Sequence, residues 1–244
     1  MKSFNQEIKS ALVAEIRKHR EQDQVVQGNY GTYEDGRFRG CAVGCVVHSY
    51  LVAAGEDSVV VVGNGEYHKM YESMFGIPKI LAELQDIIHE GLSDESFPTW
   101  PERFMEAVPT DTELSLVFPK FALWFLTDEG VGIFGHAVGT PQQEVAGLFS
   151  AIVAREHIPI QVWRDCAEIA RKVRTIGKPE DATCTARAVN HILSAFLGVS
   201  GTERRYLVIA LDIAEDLHVE KYHTSYYEKC AEKLIELLKA EGNV

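Results

Sequence analysis

The fold class is decided by the stretch Ile77-Pro78-Lys79-Ile80-Leu81-Ala82-Glu83-Leu84-Gln85-Asp86-Ile87-Ile88-His89-Glu90-Gly91. Its apolar residues recur at intervals of three and four positions, which aligns them along one side of an α-helix. Pro78 stands where a proline is favoured at the start of a helix, and Gly91 stands where a glycine commonly ends one. The stretch therefore predicts a helix that packs its apolar side on a core.

The same helical spacing recurs in most of the remaining chain. It predicts a helix near the N-terminus, a second after the capping sequence Thr140-Pro141-Gln142-Gln143, a third around Trp163 and three more towards the C-terminus. A run of β-branched residues at 59–62 predicts a strand, with 131–134 as its candidate partner. We therefore expect a mainly α, multi-helix globular domain with at most a small accessory β-sheet.

The composition is that of an ordinary globular protein. Of its 244 residues, 46% are hydrophobic and 25% are charged. No apolar run approaches the roughly 20 residues that span a bilayer, and the N-terminus lacks the apolar core of a signal peptide. The five cysteines are an odd and scattered set, which is typical of reduced thiols. These features predict a cytoplasmic location, no membrane association and no structural disulfide.

The charge divides the chain unevenly. The net charge is -12, and residues 1–138 carry 11 basic and 21 acidic side chains while residues 139–244 carry 13 and 15. We therefore predict an acidic N-terminal half, 1–138, and a helical C-terminal half, 139–244, within one compact unit.

The acidic residues are densest at 77–138, where three basic side chains accompany eleven acidic ones. Such a surface would repel a phosphate backbone, so direct nucleic-acid binding is not expected. It would attract a basic protein partner, since charge complementarity steers association. The interpretation that these features favour is a non-catalytic, cytosolic binding protein with an acidic face and no cofactor. The alternative is a solvated surface without a specific partner.

Cys41 offers an enzymatic alternative. It begins a predicted helix and follows Arg37 and Arg39, a setting that lowers the pKa of a thiol and favours the nucleophilic thiolate. The segment Gly135-His136-Ala137-Val138 resembles the histidine strand of papain-like cysteine hydrolases, which would make His136 the base. Asp128 is a candidate to orient its imidazole. Cys41 and His136 would then be the catalytic pair of a cysteine-dependent hydrolase.

A metal site is a further alternative. Cys41, Cys45 and His48 recur at helical spacing and would share one face of the helix, where thiolate and imidazole ligands suit zinc. The spacing differs from that of paired zinc-binding cysteines. The competing interpretation is that Cys41, Ala42, Gly44 and Cys45 are small residues that let this helix pack closely against a neighbour.

Four segments carry a resemblance to known proteins: Gly40-Cys41-Ala42-Val43-Gly44-Cys45, residues 75–86, Trp100-Pro101-Glu102-Arg103-Phe104 and residues 231–238. In these segments the chain resembles a group of uncharacterised bacterial and bacteriophage proteins. The resemblance implies a helical architecture and a mobile-element setting. It implies no catalytic residue.

Overall fold

A computed structural model describes residues 4–55, 66–133, 140–173, 188–189, 191–192, 194–196, 207–212, 214 and 226–242. Helices make up most of these residues, so the predicted mainly α fold is confirmed. In chain order they are α1 (Gln6–Glu21), α2 (Ala42–Ala54), α3 (Glu66–Phe75), α4 (Lys79–Gly91), a 3-10 turn (Phe97–Thr99), α5 (Trp100–Ala107), α6 (Val117–Thr127), α7 (Thr140–Val153), α8 (Ile160–Val173) and α9 (Tyr226–Glu241). No helix among the described residues combines the length and the apolar character needed to cross a membrane.

The sheet in the described part of the chain is a hairpin of β1 (Thr32–Glu34) and β2 (Arg37–Arg39). Asp35 and Gly36 form its turn with φ angles of 52° and 75°, the left-handed conformation that a tight hairpin turn requires. The predicted strand at 59–62 lies outside the described residues. Residues 131–133, the described part of its candidate partner, form bends and no strand.

The chain forms two compact units. The first comprises Met1–Leu114 and Cys230–Val244, and the second comprises Ser115–Lys229. The division predicted at residue 138 therefore falls within the second unit. In that unit α6 packs on α7 and α7 on α8, and the rings of Phe149, Trp163 and Phe196 lie 5.1–5.3 Å apart between centroids.

Helix α2 lies at the centre of the first unit, where it contacts α1, α3, α4 and α5. Its first six residues, Ala-Val-Gly-Cys-Val-Val, are all buried, because no charged side chain interrupts them. The helix ends where Gly55 adopts the left-handed conformation with a φ of 71°. The residues that precede α2 are consequently held at the core of this unit.

Helix α4 is buried on every side. The predicted apolar stripe is buried except at Ile80, which is partly exposed, but so are the polar residues on the opposite side, and the buried run extends from Leu81 to His89. Glu83 pairs with Lys79 at 3.0 Å, whereas Gln85 and Asp86 are fully buried. Helix α4 thus places polar side chains inside the unit. They need partners there, because burial of an unpaired polar group is costly.

The loop at residues 22–40, named here the 22–40 loop, crosses directly over α2 at Gly44. A Cβ atom on Gly44 would lie 1.6 Å from the backbone oxygen of Tyr30, so only glycine permits this crossing. The backbone N–H of Cys41 donates to the oxygen of Asn29 at 2.5 Å. Gly44 thus provides the close packing expected of the small residues in α2, with the loop as the neighbour.

Candidate metal centre

The three residues predicted as zinc ligands have different partners. Cys41 is the N-cap residue of α2 and interacts with Asp86, whereas the sulfur of Cys45 lies 3.2 Å from the backbone oxygen of Gly40. His48 contacts His19 on α1 through Nδ1 at 2.9 Å. A zinc site formed by Cys41, Cys45 and His48 stays a prediction. In the structure Cys41 interacts with Asp86 on α4, whereas His48 contacts His19 on α1.

The predicted catalytic pair is described only in part. His136 lies outside the described residues, so its pairing with Cys41 stays a prediction. The carboxylate of Asp128 accepts hydrogen bonds from the backbone N–H groups of Gly130 and Val131, at 2.9 and 2.7 Å. Burial opposes ionisation of Asp128, but these hydrogen bonds outweigh it and lower the pKa of the carboxyl. Asp128 therefore organises the end of α6.

A group of three potential ligands surrounds the start of α2. The sulfur of Cys41 and one carboxylate oxygen each from Asp86 and Glu90 all lie within 4.8 Å of one another. Asp86 and Glu90 are four residues apart on α4, a spacing that brings side chains together on one helical face. Among the described residues this is the one group of at least three His, Cys, Asp or Glu side chains with metal-ligand spacing. We call it the Cys41 cluster.

Two side chains fix the carboxylate of Asp86. The Nε2 atom of His68 on α3 lies 3.2 Å from Oδ2 of Asp86, and the hydroxyl of Tyr30 donates to the same oxygen at 3.2 Å. The side chains of His68 and Asp86 are each 1% exposed. Tyr30 is itself held by stacking on Tyr67, with an interplanar angle of 6°. Two separate parts of the chain, α3 and the 22–40 loop, thus converge on this carboxylate.

Glu90 connects the cluster to the 22–40 loop. Its Oε2 atom accepts a hydrogen bond of 2.7 Å from the backbone N–H of Gly28. Glu90 is partly exposed, whereas Cys41 and Asp86 are buried. The cluster therefore has one side towards solvent, at Glu90.

The pKa of the Cys41 thiol is shifted in the direction opposite to the one expected from the sequence. Burial raises this pKa well above its ordinary value, and the negative charge of Asp86 raises it further, while a hydrogen bond from the Gly44 N–H acts the other way. Arg39 pairs instead with Glu34, and Arg37 is exposed on the hairpin. Without a cation at the site, Cys41 is a neutral thiol at neutral pH.

Two more polar side chains lie in the same region without a hydrogen bond of normal geometry. The hydroxyl of Tyr71 and the side-chain amide of Gln85 are fully buried and have no such bond among the described residues. Burial raises the pKa of Tyr71 well above its ordinary value, and Cys41 and Asp86 add to the shift. The side chain of Gln85 lowers the pKa of Tyr71, but by less than burial raises it. Buried polar groups in this state call for a further partner.

The cluster has the donors of a transition-metal site. A thiolate and two carboxylates are accepted ligands of zinc, and three protein ligands leave a coordination position for water or substrate. A dication would also stabilise the thiolate form of Cys41, because it offsets the charge that Asp86 places beside the sulfur. The same atoms are poorly suited to nucleophilic catalysis without a metal, since the buried thiol keeps its proton.

Sequence reasoning missed four of these residues: Tyr30, His68, Asp86 and Glu90. No local pattern points to His68, because its partner Asp86 lies 18 positions away on another helix. One signal was present, namely two carboxylates at a four-residue spacing within the most regular apolar helix of the chain. The apolar spacing assigns both carboxylates to the polar side of the helix, however, so only the packing of α4 shows that Asp86 is buried.

Comparison with known proteins gives no assignment: no family model, no curated protein and no solved structure matches the chain. The resemblance to bacterial and bacteriophage proteins stays a prediction.

Proposed function

We propose that the protein binds one divalent transition-metal ion of the zinc class through Cys41, Asp86 and Glu90. The observation that carries the proposal is the convergence of one sulfur and two carboxylate oxygens within 4.8 Å of one another, from the N-cap residue of α2 and from α4. A cytosolic setting fits this function, because the site requires a reduced thiol. The ion would join the start of α2 to α4.

The ligand set favours zinc over magnesium and calcium. A thiolate is a soft ligand that selects ions such as Zn²⁺, whereas Mg²⁺ and Ca²⁺ require sites made of oxygen atoms. The two carboxylates supply hard ligands that zinc also accepts at 2.0–2.2 Å. Cobalt(II) is a suitable probe, because its absorption reports a bond to sulfur directly.

His68 and Tyr30 would act as positioning residues. Both donate to Oδ2 of Asp86 at 3.2 Å, which fixes the orientation of the carboxylate before an ion binds. Outer partners of this kind typically contribute about 10- to 100-fold to metal affinity. The support is independent of the cluster itself, since His68 belongs to α3 and Tyr30 to the 22–40 loop.

The test is titration of the reduced, metal-stripped protein with Co²⁺ and Zn²⁺, followed by absorption and by competition with a chelator. We expect one equivalent of Co²⁺ to produce a sulfur-to-cobalt charge-transfer band that Zn²⁺ abolishes. Cys41→Ser should remove the band, and Asp86→Asn should weaken binding by more than the roughly 100-fold attributed to outer partners.

Cys45→Ser is the matched control, because Cys45 is buried one turn further along the same helix. It should keep the charge-transfer band and the stoichiometry. Loss of the band in Cys45→Ser as well as in Cys41→Ser would contradict the proposal and favour the ligand set expected from the sequence, Cys41, Cys45 and His48. Equal affinity for Mg²⁺ and Zn²⁺ would also contradict it.

A further inference from the structure

A second polar site lies between α1, the hairpin and α2. Here the chain encloses a cavity of about 380 Å³ that opens to solvent. This volume lies within the range of small-molecule pockets. We call it the His48 cavity, and it shares no lining residue with the Cys41 cluster.

A chain of hydrogen bonds runs through the wall of the His48 cavity. The Nδ1 atom of His19 bonds Oε1 of Gln24, and Nε2 of His19 lies 2.9 Å from Nδ1 of His48. Nε2 of His48 in turn lies 2.9 Å from the hydroxyl of Tyr33. Gln24 is oriented by a bond of 3.0 Å from its Nε2 atom to Oε1 of Gln22. The chain thus starts at a buried amide and ends at a half-exposed phenol.

The direction of this chain follows from the carbonyl oxygen of Gln24, which can only accept. His19 must therefore donate from Nδ1, which leaves its Nε2 atom as an acceptor for the Nδ1–H of His48. Nε2 of His48 then accepts the hydroxyl proton of Tyr33. Every bond is satisfied when both imidazoles are neutral, and burial of both rings lowers their pKa values, that of His48 to about 4. The wall is thus uncharged at neutral pH.

The charge of the cavity then comes from three side chains, Glu15, Lys18 and Arg37. Lys18 and Glu15 pair with each other on α1. Arg37 makes no ion pair with any described residue. The side chains that line the cavity therefore carry a net charge of +1. A single cation beside a neutral polar wall is complementary to a ligand with one negative charge.

The remaining lining is apolar. Phe38 stacks on the ring of His48, with centroids 4.1 Å apart and an interplanar angle of 12°. Val52, which is 41% exposed, continues this surface on α2. A ligand that fills the cavity therefore meets an apolar surface as well as the charge of Arg37.

We propose that the His48 cavity is a binding site for a small carboxylate with an apolar body. Arg37 binds the carboxylate, and Phe38 and Val52 contact the apolar part. The bonds from Gln24 through His19 and His48 to Tyr33 hold the wall in one arrangement, so little ordering is needed when the ligand binds.

The experiment uses the whole protein with ¹⁵N-labelled histidine and two probes of equal shape, benzoate and benzamide. We expect benzoate to shift the ring signals of His48 and His19 saturably, and benzamide to have no such effect at equal concentration. Before any probe is added, the ¹⁵N shifts of both rings should show the neutral form with hydrogen on Nδ1. Equal effects of benzoate and benzamide would overturn the proposal, as would binding of inorganic phosphate as tight as that of benzoate.

Arg37→Gln and Arg39→Gln form a matched pair on β2. Arg37 lines the cavity, whereas Arg39 does not and pairs with Glu34. Arg37→Gln should weaken benzoate binding about tenfold or more, the effect of losing one charge-assisted hydrogen bond, and Arg39→Gln should leave it unchanged. Both positions are exposed, so neither change should prevent folding. Equal weakening by the two variants would show that only overall charge matters and would overturn the assignment.

Discussion

The Cys41 cluster and the His48 cavity lie along one helix and under one loop, yet they place polar groups in opposite settings. In the cluster, burial raises the pKa of a thiol, and in the cavity it lowers the pKa of two imidazoles. Both effects favour the neutral form. The difference lies in the neighbours: carboxylates surround the thiol, whereas an amide and a phenol satisfy the imidazoles. The Cys41 cluster therefore calls for a cation, whereas the imidazoles of the His48 cavity have all their hydrogen bonds without one.

The largest effect should come from Gly44→Ala, which would break both sites together. The new Cβ atom would collide with the backbone oxygen of Tyr30 at 1.6 Å, so the 22–40 loop must move away from α2. Overpacking commonly costs about 1–3 kcal/mol, and contact with rigid backbone belongs at the upper end. Urea unfolding should show this loss, and the Co²⁺ band and benzoate binding should both weaken.

Gly147→Ala is the control for Gly44→Ala. Gly147 lies in α7, where a Cβ atom would meet nothing within 4 Å. Alanine there should stabilise the helix by roughly 0.5–1 kcal/mol, because glycine is a poor helix former. A Gly44→Ala variant as stable as the parent would contradict the close crossing of loop and helix.

The next largest effect is expected from two histidine variants, each of which perturbs only one of the two sites. His68→Gln removes an imidazole that positions Asp86, so zinc affinity should fall about 10- to 100-fold while the protein stays folded. His48→Gln changes only the cavity and should leave zinc affinity unchanged. Chelator competition measures both. A larger loss in His48→Gln than in His68→Gln would show that His48 belongs to the metal site.

A smaller effect concerns the pH dependence of stability. The pKa of His48 is about 4 in the folded protein against an ordinary value of 6.5, so between these pH values the unfolded chain binds a proton that the folded protein does not. The free energy of unfolding should therefore fall as the pH falls from 6.5 to 4. The shift of His19 has the same direction. Allowing for solvent screening at this half-buried ring, His48 should contribute on the order of 1 kcal/mol.

This contribution can be isolated with His48→Gln. Unfolding of the variant and of the parent protein at several pH values should give a shallower slope for the variant between pH 6.5 and 4. Identical slopes would contradict a buried, neutral His48.

The smallest effect is expected for Arg39→Ala. Arg39 and Glu34 lie 3.6 Å apart, and their side chains are 45% and 63% exposed. Solvent-exposed pairs of this kind contribute about 0–1 kcal/mol, so the urea midpoint should hardly change. A loss well above 1 kcal/mol would show that the hairpin depends on this pair.

The sequence predicts the helices well, because their apolar spacing reports local geometry. For α4, the expected start near Pro78 and end at Gly91 agree with the structure. The sheet was placed at 59–62, outside the described residues, whereas the observed hairpin has the Asp-Gly turn typical of this element.

The candidate site was harder to predict, because its contacts join distant parts of the chain. Tyr30 and Asp86 are 56 positions apart, and no local pattern relates them. Gln85 and Asp86 also occupy the side of α4 that an amphipathic pattern assigns to solvent. Only the packing of α4 among other elements shows that this side is buried.

The same reasoning affects the predicted acidic face. Of the eleven acidic residues at 77–138, Glu83, Asp86 and Glu102 are buried. Glu102 accepts hydrogen bonds from Arg17 and Arg20 at 2.7 and 3.0 Å. Net charge along a sequence therefore overstates the charge presented at the surface. Interaction through an acidic face stays a prediction, and it depends on exposed residues such as Asp94 and Glu106.

The crossing at Gly44 links the lifetimes of the two sites. Tyr30 and Tyr33 are three residues apart in the 22–40 loop, and each completes a different site. If this loop detaches from α2 as a unit of local unfolding, it removes Tyr30 from the Cys41 cluster and Tyr33 from the His48 cavity in the same event. The backbone N–H of Cys41, which bonds the oxygen of Asn29 in this loop, would then exchange with solvent at the rate of that event. A ligand held in either site would slow this exchange.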